Sequence, residues 1–277
     1  MKGAACIAMI LGITVSTYSQ TLRRPTAAAY VRLGSYSIKH SDIFSVTGNQ
    51  ASLAQIKNTS AGMFAERKFM LAELNNFAAV AGFPTKSGNF GLTANHSGFS
   101  ENNTSVAGLA YARSLGSKID AGVQFNYSRI SIAGYGDAAT VSFEAGIITH
   151  LTEKLHAGLH VDNPVGGKFG KDQEEKLSAV YTFGMGYDVS DKFYVSAEIE
   201  KEENQPVNIT AGFQYKLIQQ LLIRAGMSSA SSTVWAGAGL SLKSFRIDIL
   251  AGYHPQLGIT PGLMLLFNIN KKGDGQN

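Results

Sequence analysis

The sequence predicts an all-β fold, a transmembrane up-and-down antiparallel β-barrel of about 14 strands. Strand-like segments in the second half alternate apolar and polar residues: in 245–254, Ile249 belongs to the apolar face and Asp248 to the polar face. Period two indicates a β-strand with a different environment on each side. Charged residues make up only 16% of the chain, and its 30 glycines suit strands that bend around a barrel. A lipid-covered outer face and a polar lumen explain this combination.

The first 19 residues are predicted to be a signal peptide. Lys2 supplies a positive charge, residues 4–15 form an apolar stretch too short to span a bilayer, and small residues precede Gln20. These features are typical of a secretory signal and less typical of a buried helix. Because the single cysteine, Cys6, lies in this segment, we expect no disulfide, thiol nucleophile or cysteine-bound metal in the mature chain.

Residues 20–58 do not alternate and are predicted to form a separate N-terminal segment ahead of the barrel. Ser41 and Asp42 indicate a turn, and Asn49 is a candidate cap for a short helix. The barrel is expected to occupy residues 59–270, and residues 271–277 would form a periplasmic tail.

The barrel strands are predicted from the alternating segments and from the turns between them. Tight turns such as 243–244 alternate with mostly longer connections such as 164–174, as in barrels with short periplasmic turns and longer outer loops. Sequential hairpins give an up-and-down topology. The predicted strands are 60–69, 74–83, 88–97, 104–114, 117–132, 139–151, 154–163, 175–189, 192–201, 206–217, 220–229, 232–242, 245–254 and 259–270.

The polar faces of these strands supply the candidate functional residues. A charge facing the lipid midplane would cost about 2–4 kcal/mol, so the sorting of charges to one face places that face in the lumen. Trp235 also falls on this face, where it would pack against the N-terminal segment or contact a ligand; packing is favoured. The candidate lumen residues are Glu144, His156, His160, Asp162, Glu198, Glu200, Lys216, Arg224, Trp235, Arg246 and Asp248.

None of these residues predicts catalysis or a metal site. His156 and His160 share a strand face, but at this spacing they are about 13 Å apart, too far to bind one metal ion. No Ser/His or Asp/His pair stands out by its spacing, so the sequence predicts a protein that is not an enzyme and has no cofactor. The net charge of +4 comes without a basic stripe, so no nucleic-acid partner is expected.

Short motifs resemble known outer-membrane barrels. Residues 42–46 followed by Asn49-Gln50-Ala51-Ser52-Leu53 resemble the N-terminal Asp…Asn-Pro-Ala-x-Leu element of FadL-like barrels, with Gln50 in place of the proline. Segments 109–116, 134–136, 160–164 and 222–226 resemble the PorV/PorQ branch. The resemblance implies a 14-stranded barrel in a Gram-negative outer membrane, with an N-terminal plug that includes Asp42 and Asn49 entering the lumen.

Three functions are weighed. The first is a conduit or transporter for small hydrophobic molecules, partly closed by residues 20–58. The second is a PorV/PorQ-like accessory or scaffold barrel that binds proteins of a type IX secretion or surface complex. The third, a soluble secreted β protein, is disfavoured because about 14 apolar strand faces would have to be buried in a single layer. A gap along the lumen would favour a conduit, and a lumen packed with paired charges would favour a scaffold.

Overall fold

The computed structural model describes residues 29–166, 168–169, 175–230 and 232–269. The predicted signal peptide (1–19), the start of the predicted N-terminal segment (20–28) and the predicted tail (271–277) lie outside these residues.

Fourteen antiparallel strands form a closed barrel. Each strand pairs with its neighbours in sequence, and the last strand closes the barrel by pairing with the first. The predicted up-and-down barrel is therefore confirmed. The strands are β1 (Thr59–Arg67), β2 (Asn75–Thr85), β3 (Gly88–Phe99), β4 (Asn102–Ser114), β5 (Ile119–Ile132), β6 (Gly136–His150), β7 (Leu155–Asp162), β8 (Val180–Asp188), β9 (Phe193–Glu202), β10 (Asn208–Lys216), β11 (Leu221–Ser228), β12 (Thr233–Leu242), β13 (Phe245–His254) and β14 (Gly258–Ile269).

One strand begins later than its sequence pattern predicts. Residues 175–189 were expected to form a single strand, but β8 starts at Val180. The Asn163 side-chain amide donates to the Leu177 carbonyl at 2.7 Å, and Leu177 is buried against Ile130. This contact folds the chain inward at the outer mouth, while Lys168–Phe169 and Glu175–Lys176 form a separate two-stranded ladder.

The two faces of the barrel differ as the alternation predicts. On β13, the Ile249 side chain is 69% exposed on the outside, whereas Asp248 is 0% exposed in the lumen. Aromatic rings cluster on the outer surface at the end that carries the short turns, where Phe245 stacks on Phe267 at 5.6 Å and Phe193 meets Tyr215 at 6.1 Å. Such rings form the girdle of barrels at the membrane–water interface.

Residues 29–57, here called the plug, lie inside the barrel. They comprise a short α-helix (Ala29–Arg32) and three 3₁₀ helices (Leu33–Tyr36, Ile43–Thr47 and Gln50–Gln55). The predicted helix cap at Asn49 is confirmed, since its side chain accepts from the Ala51 amide at 3.0 Å. Among the described residues, no helix is long and apolar enough to cross a membrane.

Candidate functional site

Glycines in the barrel wall let the plug approach the backbone of the strands. A Cβ atom on Gly184 would lie 2.0 Å from the Tyr36 ring, and one on Gly122 would lie 2.5 Å from the backbone carbonyl carbon of Gln50. Neither distance is compatible with a side chain at these positions. Apolar plug residues such as Phe44, fully buried, fill the remaining space against the wall. The plug therefore fills the end of the lumen near the short turns.

Charged side chains join the plug to the wall. The Asp42 Oδ2 atom accepts from Arg224 Nη2 on β11 and from Arg246 Nη2 on β13, each at 2.9 Å. Arg246 Nε also donates to Asp248 Oδ1 at 2.8 Å, and the Tyr30 hydroxyl donates to Asp248 Oδ2 at 3.0 Å. Two carboxylates thus balance two guanidinium groups through charge-assisted hydrogen bonds in a buried site.

The ionisation of two plug residues follows from these surroundings. Burial alone would raise the pKa of Asp42, but Arg246 and Arg224 outweigh it and hold this pKa below its ordinary value. Burial lowers the pKa of His40, whose Nδ1 atom is 2.9 Å from Gln214 Nε2 and whose Nε2 atom is 3.0 Å from the Ser190 carbonyl. At neutral pH Asp42 is therefore charged and His40 is neutral.

Gln50 makes a contact that the proline of the FadL-like element cannot make. Its side-chain amide donates to Glu144 Oε2, an oxygen that is also 3.0 Å from His160 Nε2. The other oxygen of Glu144 accepts from Asn126 Nδ2 at 2.7 Å. The departure from the motif therefore adds a hydrogen bond between the plug and the wall.

A cavity of about 530 Å³ lies between the plug and the outer loops. Tyr30 and Arg32 of the plug form its floor, and Trp235 lines its wall. Phe69 and Pro206, from the connections β1–β2 and β9–β10, border it at the outer end. The Trp235 ring also packs edge-on against Tyr30 at 5.9 Å, so it both contacts the plug and faces the cavity.

A second cavity of about 110 Å³ adjoins the same plug surface. Arg32, Glu200 and Glu202 border both cavities. Arg32 lies 3.4 Å from Glu200 and 3.6 Å from Glu198, so it is held between two wall carboxylates. Among the described residues, the charged groups that line the two cavities are mainly acidic: the carboxylates are Glu66, Glu144, Asp162, Glu200 and Glu202, and the cations are Arg32 and Lys68.

The structure places every candidate lumen residue on the inward side of its strand. Both histidines of the set pair with a carboxylate on a neighbouring strand: His160 contacts Glu144, and His156 lies 3.2 Å from Asp188. At the end of the lumen with the short turns, beside the plug, lie His156, Lys216, Arg224, Arg246 and Asp248. The cavities are lined by Glu144, His160, Asp162, Glu200 and Trp235, and Glu198 contacts Arg32 beside them. What these residues contribute to function stays a prediction.

Several residues that matter for this geometry were not singled out from the sequence. Asp120, His150 and Asp188 are inward-facing at strand ends, so the alternation that identified their neighbours could have identified them as well. Tyr30 and Arg32 lie in the non-periodic plug, where no sequence pattern marks them. In the part of the chain that the structure describes, no group of three or more His, Cys, Asp or Glu side chains is placed to hold a metal ion.

Comparison with known proteins reveals a shared fold. No protein-family model matches the chain, and no curated protein sequence does either. A structure of the monoaromatic hydrocarbon channel CymD has a TM-score of 0.62 at 12% identity, covering 84% of this chain and 94% of that one. The toluene transporter TodX of Pseudomonas putida has a TM-score of 0.60 at 12% identity, covering 89% and 97% of the respective chains.

A Pseudomonas aeruginosa FadL homologue gives a TM-score of 0.62 at 10% identity and covers 88% of this chain and 98% of its own. Likeness at such low identity concerns the fold, because one fold hosts many functions. The chain is thus a closed fourteen-stranded barrel with the FadL-like fold.

Proposed function

We propose that the chain is a conduit for small hydrophobic molecules in the outer membrane of a Gram-negative bacterium, closed on the periplasmic side by the plug. The cavity between the plug and the outer loops is the observation that carries this proposal. The apolar, exposed outer face of the barrel supports a location in lipid, because charges there would be costly.

The size and lining of the larger cavity suit a small apolar ligand. Its volume of about 530 Å³ lies within the range of ligand sites, about 300–1,000 Å³. Trp235, Tyr30 and Phe69 offer aromatic surface. The structures similar in fold include proteins described as toluene transporters and monoaromatic hydrocarbon channels, which supports small aromatic hydrocarbons as the substrate class.

The plug makes the conduit a closed one. Its buried ion pairs and the tight fit at Gly184 and Gly122 leave the periplasmic half of the lumen packed. A ligand bound above the plug therefore reaches the periplasm only if the plug moves or the ligand leaves by another route.

Hydrocarbon uptake by cells with a lipopolysaccharide-covered outer membrane tests the proposal. Gly252 lines the larger cavity, and a Cβ atom there would meet its nearest neighbour at 3.6 Å, so Gly252→Phe places a ring in the cavity without a clash at Cβ. Its matched control is Ala251→Phe, one residue away and facing outward. We expect faster toluene uptake with the native chain and with Ala251→Phe than with Gly252→Phe. Uptake equal to that of cells without the protein would contradict a conduit.

The scaffold role in a type IX secretion or surface complex stays a prediction without support from the structures compared. The packed periplasmic half of the lumen agrees with it, but the cavity above the plug does not require it. Copurification of the same partner protein with the native chain and with Gly252→Phe, together with no hydrocarbon uptake, would favour the scaffold.

A further inference from the structure

Four titratable side chains form a continuous row where the wall meets the plug. Asp120 Oδ2 on β5 is 2.9 Å from His150 Nε2 on β6. His150 Nδ1 is 2.9 Å from His156 Nδ1 on β7, and His156 Nε2 is 3.2 Å from Asp188 Oδ2 on β8. The side chains of Asp120, His156 and Asp188 are at most 1% exposed and that of His150 is 9% exposed, so the row is sheltered from water.

The three contacts in this row need one more proton than the row holds when both histidines are neutral and both aspartates are ionised. Each of the three contacts joins atoms that are both acceptors when unprotonated, so each contact needs its own proton. Two neutral histidines provide two N–H groups, and two carboxylates provide none. At a contact without a proton, the lone pairs of two acceptor atoms would face each other, and no water reaches this site to donate a hydrogen bond to either atom.

We propose that Asp120, His150, His156 and Asp188 form a binding site for one additional proton, which the two histidine rings share. The row then contains three protons for three hydrogen bonds and carries a net charge of −1. Each ring keeps an N–H group on Nε2 for its flanking carboxylate, and the third proton lies between the two Nδ1 atoms. The two flanking carboxylates stabilise the positive charge of the ring pair.

Both ends of the row hold the plug. Ser37 Oγ donates to Asp188 Oδ1 at 2.5 Å, and the backbone amides of Ile38 and Lys39 donate to Asp188 Oδ2 at 3.3 and 3.4 Å. At the other end, Gln55 Nε2 donates to Asp120 Oδ2 at 2.5 Å. Loss of the shared proton would separate the two rings and disturb both attachments, so the seating of the plug is linked to proton occupancy.

Other ionisable groups near the row act mainly at the Asp188 end. Lys39, itself paired with Asp191 at the surface, and Lys216 lie near Asp188, and His40 stacks on Tyr194 beside them. Asp188 already accepts from the Ser37 hydroxyl and from two backbone amides, so the additional proton lies elsewhere in the row. The ionisable groups that face this region from the plug, the wall and the turns are Tyr36, Lys39, His40, Glu153, Asp191, Tyr194 and Lys216.

Imidazole NMR of the native protein, labelled with ¹⁵N-histidine in detergent micelles, tests the proton count directly. The chain has 6 histidines, so the ring signals can be assigned by single substitutions. At neutral pH we expect three ring N–H protons on His150 and His156 together: one on each Nε2 atom and one slowly exchanging proton between the two Nδ1 atoms. Only two ring N–H protons on the pair would overturn the proposal.

Hydrogen exchange of the plug tests the link to proton occupancy. In the native protein, protection of the Ile38 and Lys39 amides should fall about tenfold as the pH rises and the shared proton leaves, since a hydrogen bond to a charged group has about that effect on an opening equilibrium. In His150→Gln, the side-chain amide offers two N–H groups, so the row is satisfied without the extra proton and this protection should not change with pH.

The control for this experiment is His96→Gln, because His96 is exposed and hydrogen-bonds Ser105 away from the plug. It should keep the pH dependence of the native protein. If the protection of the Ile38 and Lys39 amides depends on pH in His150→Gln as it does in the native protein, the link between proton occupancy and plug seating is overturned. Neither measurement requires transport, so a barrel that fails the uptake test can still pass this one.

Discussion

Arg224 and Asp42 are 182 residues apart in the sequence and form a 2.9 Å ion pair that joins the barrel wall to the plug. Arg224 is 1% exposed, and the same Asp42 oxygen also accepts from Arg246. A single plug carboxylate therefore pairs with two guanidinium groups in the lumen, one of them fully enclosed.

Asp42→Ala should loosen the plug. The substitution leaves Arg224 and Arg246 without this shared partner, and removal of one member of a buried ion pair costs about 3–5 kcal/mol. Limited proteolysis of the folded barrel in detergent should then cleave within residues 29–57 much faster than in the native protein. The matched control is Asp191→Ala, which removes an exposed partner of Lys39 and should change little. Equal cleavage of the two variants would contradict the anchoring role of Asp42.

Acid should release the plug in a defined pH range. The pKa of Asp42 is lower in the folded protein than its ordinary value of 3.8, so its ionised form stabilises the seated plug fully above pH 3.8. That contribution is lost as the pH falls below 3.8 through the lower, folded pKa. Trp235, the single tryptophan, contacts Tyr30 of the plug and should report the change by fluorescence. A change in Trp235 fluorescence below pH 3.8 that occurs in the native protein but not in Asp42→Asn would identify Asp42 as the group responsible.

Gln50→Pro tests the departure from the FadL-like element. Position 50 is the first residue of a 3₁₀ helix, where proline is tolerated, and Asn49 before it has the extended backbone that proline requires. The variant should fold but lose the hydrogen bond to Glu144, at a cost of about 1.5–3 kcal/mol in plug stability. Gln50→Ala should give a similar loss in hydrogen-exchange measurements. A stable plug in both variants would show that this contact contributes nothing.

Ile249→Arg tests the orientation of the barrel wall. Ile249 is in the middle of β13 and faces outward, so an arginine there would cost about 2–4 kcal/mol at the lipid midplane. The control is Ile259→Arg, which also faces outward but lies at the outer rim, where the expected cost is about 0–1 kcal/mol. Heat-modifiable gel mobility measures assembly of both. Equal assembly would contradict a lipid-facing position for Ile249.

The barrel was predictable from the sequence because alternation reports two environments directly. Asp248 and Ile249 were assigned to opposite faces for that reason, and all fourteen strands are present. The later start of β8 was not predictable, because it depends on the contact between Asn163 and Leu177.

The plug and its contacts with the barrel wall were harder to predict from the sequence. Asn49 was identified as a cap because capping has a local signature, but Arg32 and Tyr30 lie in short helical turns without periodicity. The pairing of Asp42 with Arg224 depends on how the chain closes into a barrel, and no local pattern encodes a contact between residues so far apart.

Single-channel conductance in a planar bilayer, with and without residues 20–58, tests the central claim that the lumen is a passage closed by the plug. The account predicts no steady conductance for the native chain and a steady open channel after the deletion. Absence of conductance in both forms, with the deleted form shown to be a folded barrel by heat-modifiable mobility, would contradict it.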